Sequence, residues 1–334
     1  MVTPREPALQ RIARRAITLP GFVIVWLGYL VVAIPLLVLA VLADLVAHRQ
    51  FVITRSVLMA GVYLTAEVFA IVASVALWLR RPAMLPDTYA RANFDLQCRW
   101  ARWLFQSGRF LFGLRVEVSG EDALRPGPII AFTRHVCVVD NLLPAVFLSD
   151  RHRIRLRWVL NRSLLRDAAL DLVGNRLPNA FVRGGLDAGE REVMMVADLA
   201  RDLGPDEGVL IFPEGALFNP GRRGRVLARL RETGDPALAA RAERLQHVLP
   251  PRLGGALALL EAAPAAGAVF CAHSGLERAT GYREIFNGGL VHQTLRIHFW
   301  RVPAADIPAD RDARVGWLFD QWEAVDRFVG EHQA

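Results

Sequence analysis

The sequence predicts an α/β fold behind an N-terminal two-helix membrane hairpin. Two observations carry this expectation. Two long apolar stretches are confined to the first 80 of 334 residues, and seven short apolar runs alternate with helical patterns from about Leu114 onward. Strands that alternate with helices pack as a mainly parallel sheet flanked by helices.

The apolar stretches run over about 22–46 and 57–79. Each is long enough to cross roughly 30 Å of hydrocarbon as a helix. A secretory signal has a shorter apolar core and a small-residue cleavage site, so this pair reads as a hairpin. Pro35 is expected to kink the first helix, and Glu67 in the second needs a partner helix or a polar headgroup beside it. Arg5, Arg11, Arg14 and Arg15 precede the first stretch, and Arg80 and Arg81 follow the second. The positive-inside rule places both ends in the cytoplasm, so the rest of the chain faces the cytoplasmic side of the cell membrane. Crossing the bilayer and dipping into one leaflet are both open at this point.

The hairpin is assigned to 1–84 and an interfacial amphipathic segment to 85–113. In the latter, Trp100, Trp103, Leu104, Phe105, Phe110, Leu111 and Phe112 cluster with Arg99, Arg102 and Arg109. Aromatics interleaved with arginines suit the headgroup boundary; the same pattern also suits a helix that buries its aromatics in the domain core. The α/β domain occupies 114–310, with candidate strands at 114–118, 128–132, 156–160, 180–182, 208–212, 268–272 and 295–300. Helical spacing recurs at Val193, Val196, Ala197, Ala200 and Leu203, and again over 253–260. In 311–334, Val315, Leu318, Trp322, Val325 and Val329 recur every three or four residues, which predicts an amphipathic terminal helix docked on the domain.

Composition narrows the function. All 40 basic residues are arginine, the net charge is +7 and the mean hydropathy is +0.27. Arginine grips phosphate with a planar fork of donors, which suits acidic lipids and phosphorylated substrates, although a genome-wide bias also removes lysine. The arginines are dispersed, without a basic tail or a nucleic-acid motif, so nucleic acid is not the expected partner. Cys98, Cys137 and Cys271 form no CxxC pair, so neither a disulfide framework nor a zinc site is expected.

Four blocks carry candidate chemistry. After the strand at 128–132, His135 and Asp140 stand five residues apart just before a helical pattern. A turn there lets the carboxylate reach the imidazole, fix its tautomer and stabilise the cation formed when the ring takes a proton. Asn179 to Gly185 reads as a strand end and a flexible turn, on which Arg183 either grips a phosphate or pairs with a surface carboxylate. Phe212-Pro213-Glu214-Gly215 ends a buried strand, where open α/β sheets place their ligands. Glu214 there is either an acceptor for a glycerol hydroxyl or a solvated turn residue. Arg222, Arg223 and Arg225 beyond it serve phosphates or a wet loop. Val248 to Gly255 is a rigid Pro-Pro turn into an apolar helix, and its Arg252 is a candidate contact for an acyl donor or headgroup.

In this order and spacing, behind a hairpin, the blocks resemble the lysophospholipid and 1-acylglycerol-3-phosphate acyltransferase family over roughly 114–272. Many members of that family carry asparagine before the histidine, where this chain has Arg134. That start, with Pro-Pro-Arg-x-Gly-Gly later, is similar to the branch that includes lysocardiolipin acyltransferases. The resemblance implies a glycerolipid acyltransferase-like fold and transfer of an acyl group from acyl-CoA or acyl-carrier protein to a lysophospholipid hydroxyl. It implies His135 as general base oriented by Asp140. Arg183, beside Phe181, would bind the acceptor phosphate, and Glu214, with Pro213 and Gly215, would position the glycerol backbone. Membrane lipids, the acceptor and the acyl donor are the implied partners; no cofactor or metal is expected, and His273, His292 and His298 read as packing residues.

Rival classes lack their marks. A serine hydrolase wants G-x-S-x-G, and a P-loop enzyme wants a lysine; neither is present. The remaining alternatives are an acyltransferase with another headgroup and an inactive lipid-binding protein of the same fold.

Overall fold

The protein is described here as a computed structural model covering residues 6–125, 127–183, 189–233 and 235–333. Two long helices open the chain, α1 (Ala8–Val46) and α2 (Val52–Arg80), followed by α3 (Pro86–Phe112). Then come β1 (Arg115–Ser119), β2 (Ile129–Thr133), α4 (Leu142–Pro144, running on as a π-helical segment Ala145–Arg151) and β3 (Arg155–Asn161). They are followed by α5 (Ala168–Gly174), β4 (Ala180–Val182), α6 (Glu190–Leu199) and β5 (Glu207–Ile211). The chain finishes with α7 (Pro220–Thr233), α8 (Pro236–Arg244), α9 (Leu253–Ala262), β6 (Gly267–Ser274), α10 (Tyr282–Phe286), β7 (Thr294–Val302) and α11 (Arg311–His332).

The sheet order is β1-β7-β6-β2-β5-β3-β4. All pairings are parallel except β6 with β7, so the sheet is mixed but mainly parallel, as expected. Each expected strand forms within a residue or two of its apolar run. The central strands are buried on both faces, which is why they read as continuous rather than alternating runs. In β2, Ile129 and Ala131 face a core shared with Phe105 and Phe112 of α3 and with Phe147. Ile130 and Phe132 face the other core, formed with Val196, Leu259 and Trp322 of α6, α9 and α11. Two helical layers thus clamp the sheet and hold the carboxyl ends of its strands in fixed relation.

α1 starts well before the apolar stretch, because Arg14, Arg15 and their neighbours are helical without being apolar. It runs on through Pro20 and Pro35. Both helices are long and apolar enough to cross a membrane. They pair antiparallel: Trp26 Nε1 donates to Thr65 Oγ1 (3.1 Å), Tyr29 Oη to the Val57 carbonyl (3.0 Å), and the buried Asp44 carboxylate accepts from the Ile53 and Thr54 amides (3.1 and 2.8 Å). Gly61 leaves room for the Tyr29 ring at the crossing, since a Cβ there would stand 2.4 Å from Tyr29 Oη.

α2 lies lengthwise on the domain. Near its start, Arg55 donates to the Leu111 carbonyl. At its middle, Tyr63 donates to Asp167 (2.7 Å), and Glu67, fully buried, accepts from Trp100 Nε1 (3.0 Å) and the Ala169 amide (2.9 Å). Further on, Arg176 donates to the Ser74 carbonyl (2.9 Å). The partner of Glu67 is therefore the domain itself, through Trp100 and Ala169. The outward face of α1 is left apolar and uncovered, including Ile24, Val31, Ile34, Val38 and Leu42.

The aromatic segment divides. Leu104, Phe105 and Phe112 are buried and Trp100 packs against the core, whereas Phe110 is 84% exposed and Trp103 partly so. One face of α3 is thus packed into the core and the other is exposed. Helices α7 and α8 are additions to the sequence-based reading. Arg222, Arg223 and Arg225, foreseen on a loop, stand on α7.

Candidate functional site

The site lies at the carboxyl ends of β2 and β5, neighbouring parallel strands. His135 follows β2 by two residues, and Phe212 to Gly215 follow β5 directly. His135 Nδ1 is 2.8 Å from Asp140 Oδ1, and Asp140 Oδ2 accepts from the amides of Val136 (2.7 Å) and Cys137 (2.9 Å). The five-residue spacing closes a turn in which the carboxylate faces back on its own loop. Asp140 is wholly buried. Burial alone would raise its pKa, but the charge and hydrogen bond of His135, the charge of His273 and the Cys137 amide bring it below the usual value. An ionised Asp140 fixes the proton of His135 on Nδ1 and leaves the Nε2 lone pair open. Burial depresses the His135 pKa, yet the charge and hydrogen bond of Asp140, aided by Glu214, more than offset this and leave it raised. The imidazole lies over Phe212, ring centroids 4.4 Å apart, with 24% of its side chain exposed.

Glu214 sits beneath the site at 2% exposure. Oε1 accepts from the His135 amide and Oε2 from the Leu249 amide, each at 2.8 Å. Burial raises its pKa to about 7 against the opposing pull of the Leu249 amide and Arg134. Both carboxylate oxygens thus brace backbone. Glu214 joins the loop that carries His135 to the loop before α9, and it is buried rather than a solvated turn residue. Gly215 adopts φ +63°, which favours glycine, and a Cβ there would lie 2.6 Å from Arg252 Nε. The Arg252 amide donates to the Pro213 carbonyl (2.8 Å), and its side chain covers Gly215. Phe218 closes the loop by donating its amide to the His135 carbonyl (2.8 Å).

Arg134, noted in the sequence only as a departure, is fully buried. Its guanidinium donates to the His273 carbonyl (2.7 Å), Glu277 (2.5 Å) and the His247 carbonyl (3.0 Å), tying together three loop segments. His273 packs as expected and also backs the site: its Nε2 is 3.0 Å from the Arg134 carbonyl and 3.9 Å from Asp140 Oδ2. From α11, Asp326 accepts from the amides of Gln246, His247 and Val248 (2.9, 2.6 and 3.1 Å), and Trp322 donates to the Leu249 carbonyl (2.9 Å). The terminal helix therefore fixes the loop that Glu214 grips. None of these long-range partners has a local sequence signal.

Arg183 follows β4, three strands across from β2, or about 14 Å at ordinary strand spacing. Its exposed side chain lines a cleft of about 330 Å³ with Glu6, Arg14, Asn161, Arg162, Ser163, Leu165 and Arg166. The flexible turn foreseen at Gly184 and Gly185 lies outside the described residues. Phe181 packs against the core and its own ring abuts Gly174, placing it behind the cleft rather than in it. The structure thus joins His135, Asp140, Phe212, Pro213, Glu214, Gly215 and Arg252 in one locus and sets Arg183 at a second one along the same sheet edge. A narrow apolar cavity of about 40 Å³ begins at Asn141 and Leu142, beside Asp140, and is walled by Trp100, Ala145, Trp158 and Val173.

No protein-family model and no curated protein matches this chain. Among solved structures, it is similar to the crystal structure of the 1-acyl-sn-glycerophosphate (LPA) acyltransferase PlsC from Thermotoga maritima. The two chains are 12% identical, the match covers 83% of this chain and 97% of that one, and the TM-score is 0.57. At that identity the likeness is one of fold.

Proposed function

We propose that the protein is a membrane-associated acyltransferase that moves a fatty acyl group from a thioester donor to the hydroxyl of a lysophospholipid, with 1-acylglycerol-3-phosphate as its acceptor. The observation that carries this reading is the buried Asp140 carboxylate 2.8 Å from His135 Nδ1, which leaves Nε2 as a base at the mouth of the site. Nε2 takes the proton of the acceptor hydroxyl as its oxygen attacks the thioester carbonyl. The resulting tetrahedral adduct collapses to the ester, and the departing thiolate recovers the proton from the imidazolium. No acyl-enzyme forms, because both substrates meet at one base. Asp140 orients the ring and stabilises its cation; Glu214 and Arg134 hold the loop on which the ring stands. The donor is acyl-CoA or acyl-carrier protein. Arg252, covering Gly215, faces the donor side, and Arg183 takes the acceptor phosphate. The acyl tail enters by parting the walls of the cavity beside Asp140, which is too narrow to receive it unchanged.

The hairpin is read as lying in one leaflet on the cytoplasmic side. Hydrogen bonds tie α2 to the domain from Arg55 to Ser74, and a helix pair crossing the bilayer cannot keep a polar domain along its length. The uncovered apolar face of α1 is the surface offered to lipid.

Three measurements check this reading. Thiol release from long-chain acyl-CoA, with a panel of lysophospholipids, is expected to depend on the acceptor and to fall by about 10²–10⁴-fold in His135→Ala; undiminished turnover in a folded variant would remove His135 as the base. Because the base must be neutral and its pKa is raised, kcat/KM should climb with pH through an apparent pKa above about 6.5. Asp140→Asn removes the anion that stabilises the cation, so the residual activity should have its ascending limb at lower pH; a limb that stays put would separate the two residues. Finally, Gln50→Cys, at the exposed tip between α1 and α2, should react with an impermeant maleimide added on the domain's side of sealed vesicles. Labelling only from the opposite side would mean that the hairpin crosses.

A further inference from the structure

The cleft that carries Arg183 contains four guanidinium groups, from Arg14, Arg162, Arg166 and Arg183, and Glu6 is its one acidic lining residue among those described. The domain supplies three of the arginines, from the segments that follow β3 and β4. Arg14 comes from α1, the outer helix of the hairpin. Glu6 reaches into the cleft from just before that helix. Its Oε2 pairs with Arg14 Nη1, and its Oε1 lies 3.9 Å from Arg162 Nη2. Its side chain is only 15% exposed. A carboxylate is thus already seated between guanidinium groups on the two sides of the cleft.

Arg14 does not depend on Glu6 for its place. Its Nη2 donates to Asp171 Oδ1 (2.8 Å), and Asp171 is fully buried. The same carboxylate is held by Arg15 Nε (3.0 Å) and by Asn175 Nδ2 (2.8 Å). Removal of Glu6 would therefore leave the Arg14 guanidinium anchored on one edge and open on the other. No hydrogen bond or ion pair engages the side chains of Arg166 and Arg183 among the described residues. The cleft holds more cationic groups than its single resident carboxylate satisfies.

We propose that Glu6 is a tethered counter-anion in this cleft, which the acceptor's phosphate displaces to complete a four-arginine site in which the membrane hairpin supplies Arg14. The proposal rests on the acceptor reading of Arg183 given above and extends it to specificity. A phosphomonoester carries about −1.5 to −2 charge at neutral pH and three acceptor oxygens. It therefore gains more from the forked donors than the singly charged carboxylate it replaces. An acceptor without phosphate gains nothing by the exchange. The hairpin then acts as one wall of the headgroup site, so a chain without its first helix would lack part of the site as well as an anchor.

The test uses the full-length protein and Glu6→Gln, a near-isosteric change at a part-exposed position. Inorganic phosphate is titrated by calorimetry into wild type, Glu6→Gln, Arg14→Gln and the double variant. Phosphate should bind about threefold or more tightly to Glu6→Gln than to wild type. It should bind more weakly to Arg14→Gln, and the gain from Glu6→Gln should vanish in the Arg14→Gln background, because the two side chains act as one pair. In steady state, Glu6→Gln should lower KM for 1-acylglycerol-3-phosphate by the same factor with kcat unchanged, and leave KM for 1-acylglycerol unmoved. Equal phosphate affinity in wild type and Glu6→Gln, or a gain that persists without Arg14, would overturn the proposal. The calorimetric arm needs no turnover, so absence of acyl transfer to every acceptor would count against the enzymatic reading and leave the cleft judged on phosphate alone.

Discussion

The site depends on one buried carboxylate. Glu214 accepts two backbone amides, one from the loop that carries His135 and one from the loop before α9, and has no solvent to share the task. A buried carboxylate left without donors is costly, so each loop is held where its amide meets an oxygen. The rest of the domain converges on that joint. β5 delivers Glu214, β2 delivers His135, and α11 holds the third segment through Asp326 and Trp322. Arg134 adds the loop after β6. His135 is positioned by contacts drawn from residues 134 to 326, and for this reason the sheet and both helical layers set the geometry of the His135–Asp140 pair.

The hairpin is bound to the domain by the same kind of contact. Its polar residues fix its pose: Glu67 on Trp100 and Ala169, Tyr63 on Asp167, Arg14 and Arg15 on Asp171. Most of these groups are buried or half-buried, where a polar group that loses its partner bears the full cost of its desolvation. The apolar face of α1, the cavity beside Asp140 and the arginine cleft are consequently held in one frame.

The sequence made the fold legible where physics acts locally. The central strands announced themselves because strands buried on both faces need unbroken apolar runs, as in Ile129 to Phe132 and Ala268 to Ala272. The hairpin was legible from the length of its apolar stretches, and α11 from the spacing of Leu318, Trp322, Val325 and Val329. Helices α7 and α8 were not, because arginines punctuate them and, among the described residues, only Leu227, Ala239 and Ala242 are buried. The antiparallel turn of β7 onto β6 was also beyond local reading, since apolar runs carry no direction. At the site, the His135–Asp140 pair was legible from a five-residue spacing. The bracing role of Glu214 was not, because its partners lie 79 and 35 residues away. Arg14 read as a topogenic charge and Glu6 carried no signal of its own; only folding brings them beside Arg162 and Arg183.

The central claim is that a base at His135 joins a thioester donor to a phosphorylated lysolipid in a single transfer. Mass analysis of the lipids formed by the purified protein tests it most directly, with deuterated 1-acylglycerol-3-phosphate as acceptor and long-chain acyl-CoA or acyl-carrier protein as donor. The account predicts diacylglycerol 3-phosphate that retains the deuterated chain and has gained the donor's acyl group. Free fatty acid as the sole acyl product, or no acylated lipid with either donor from a folded protein, would contradict it.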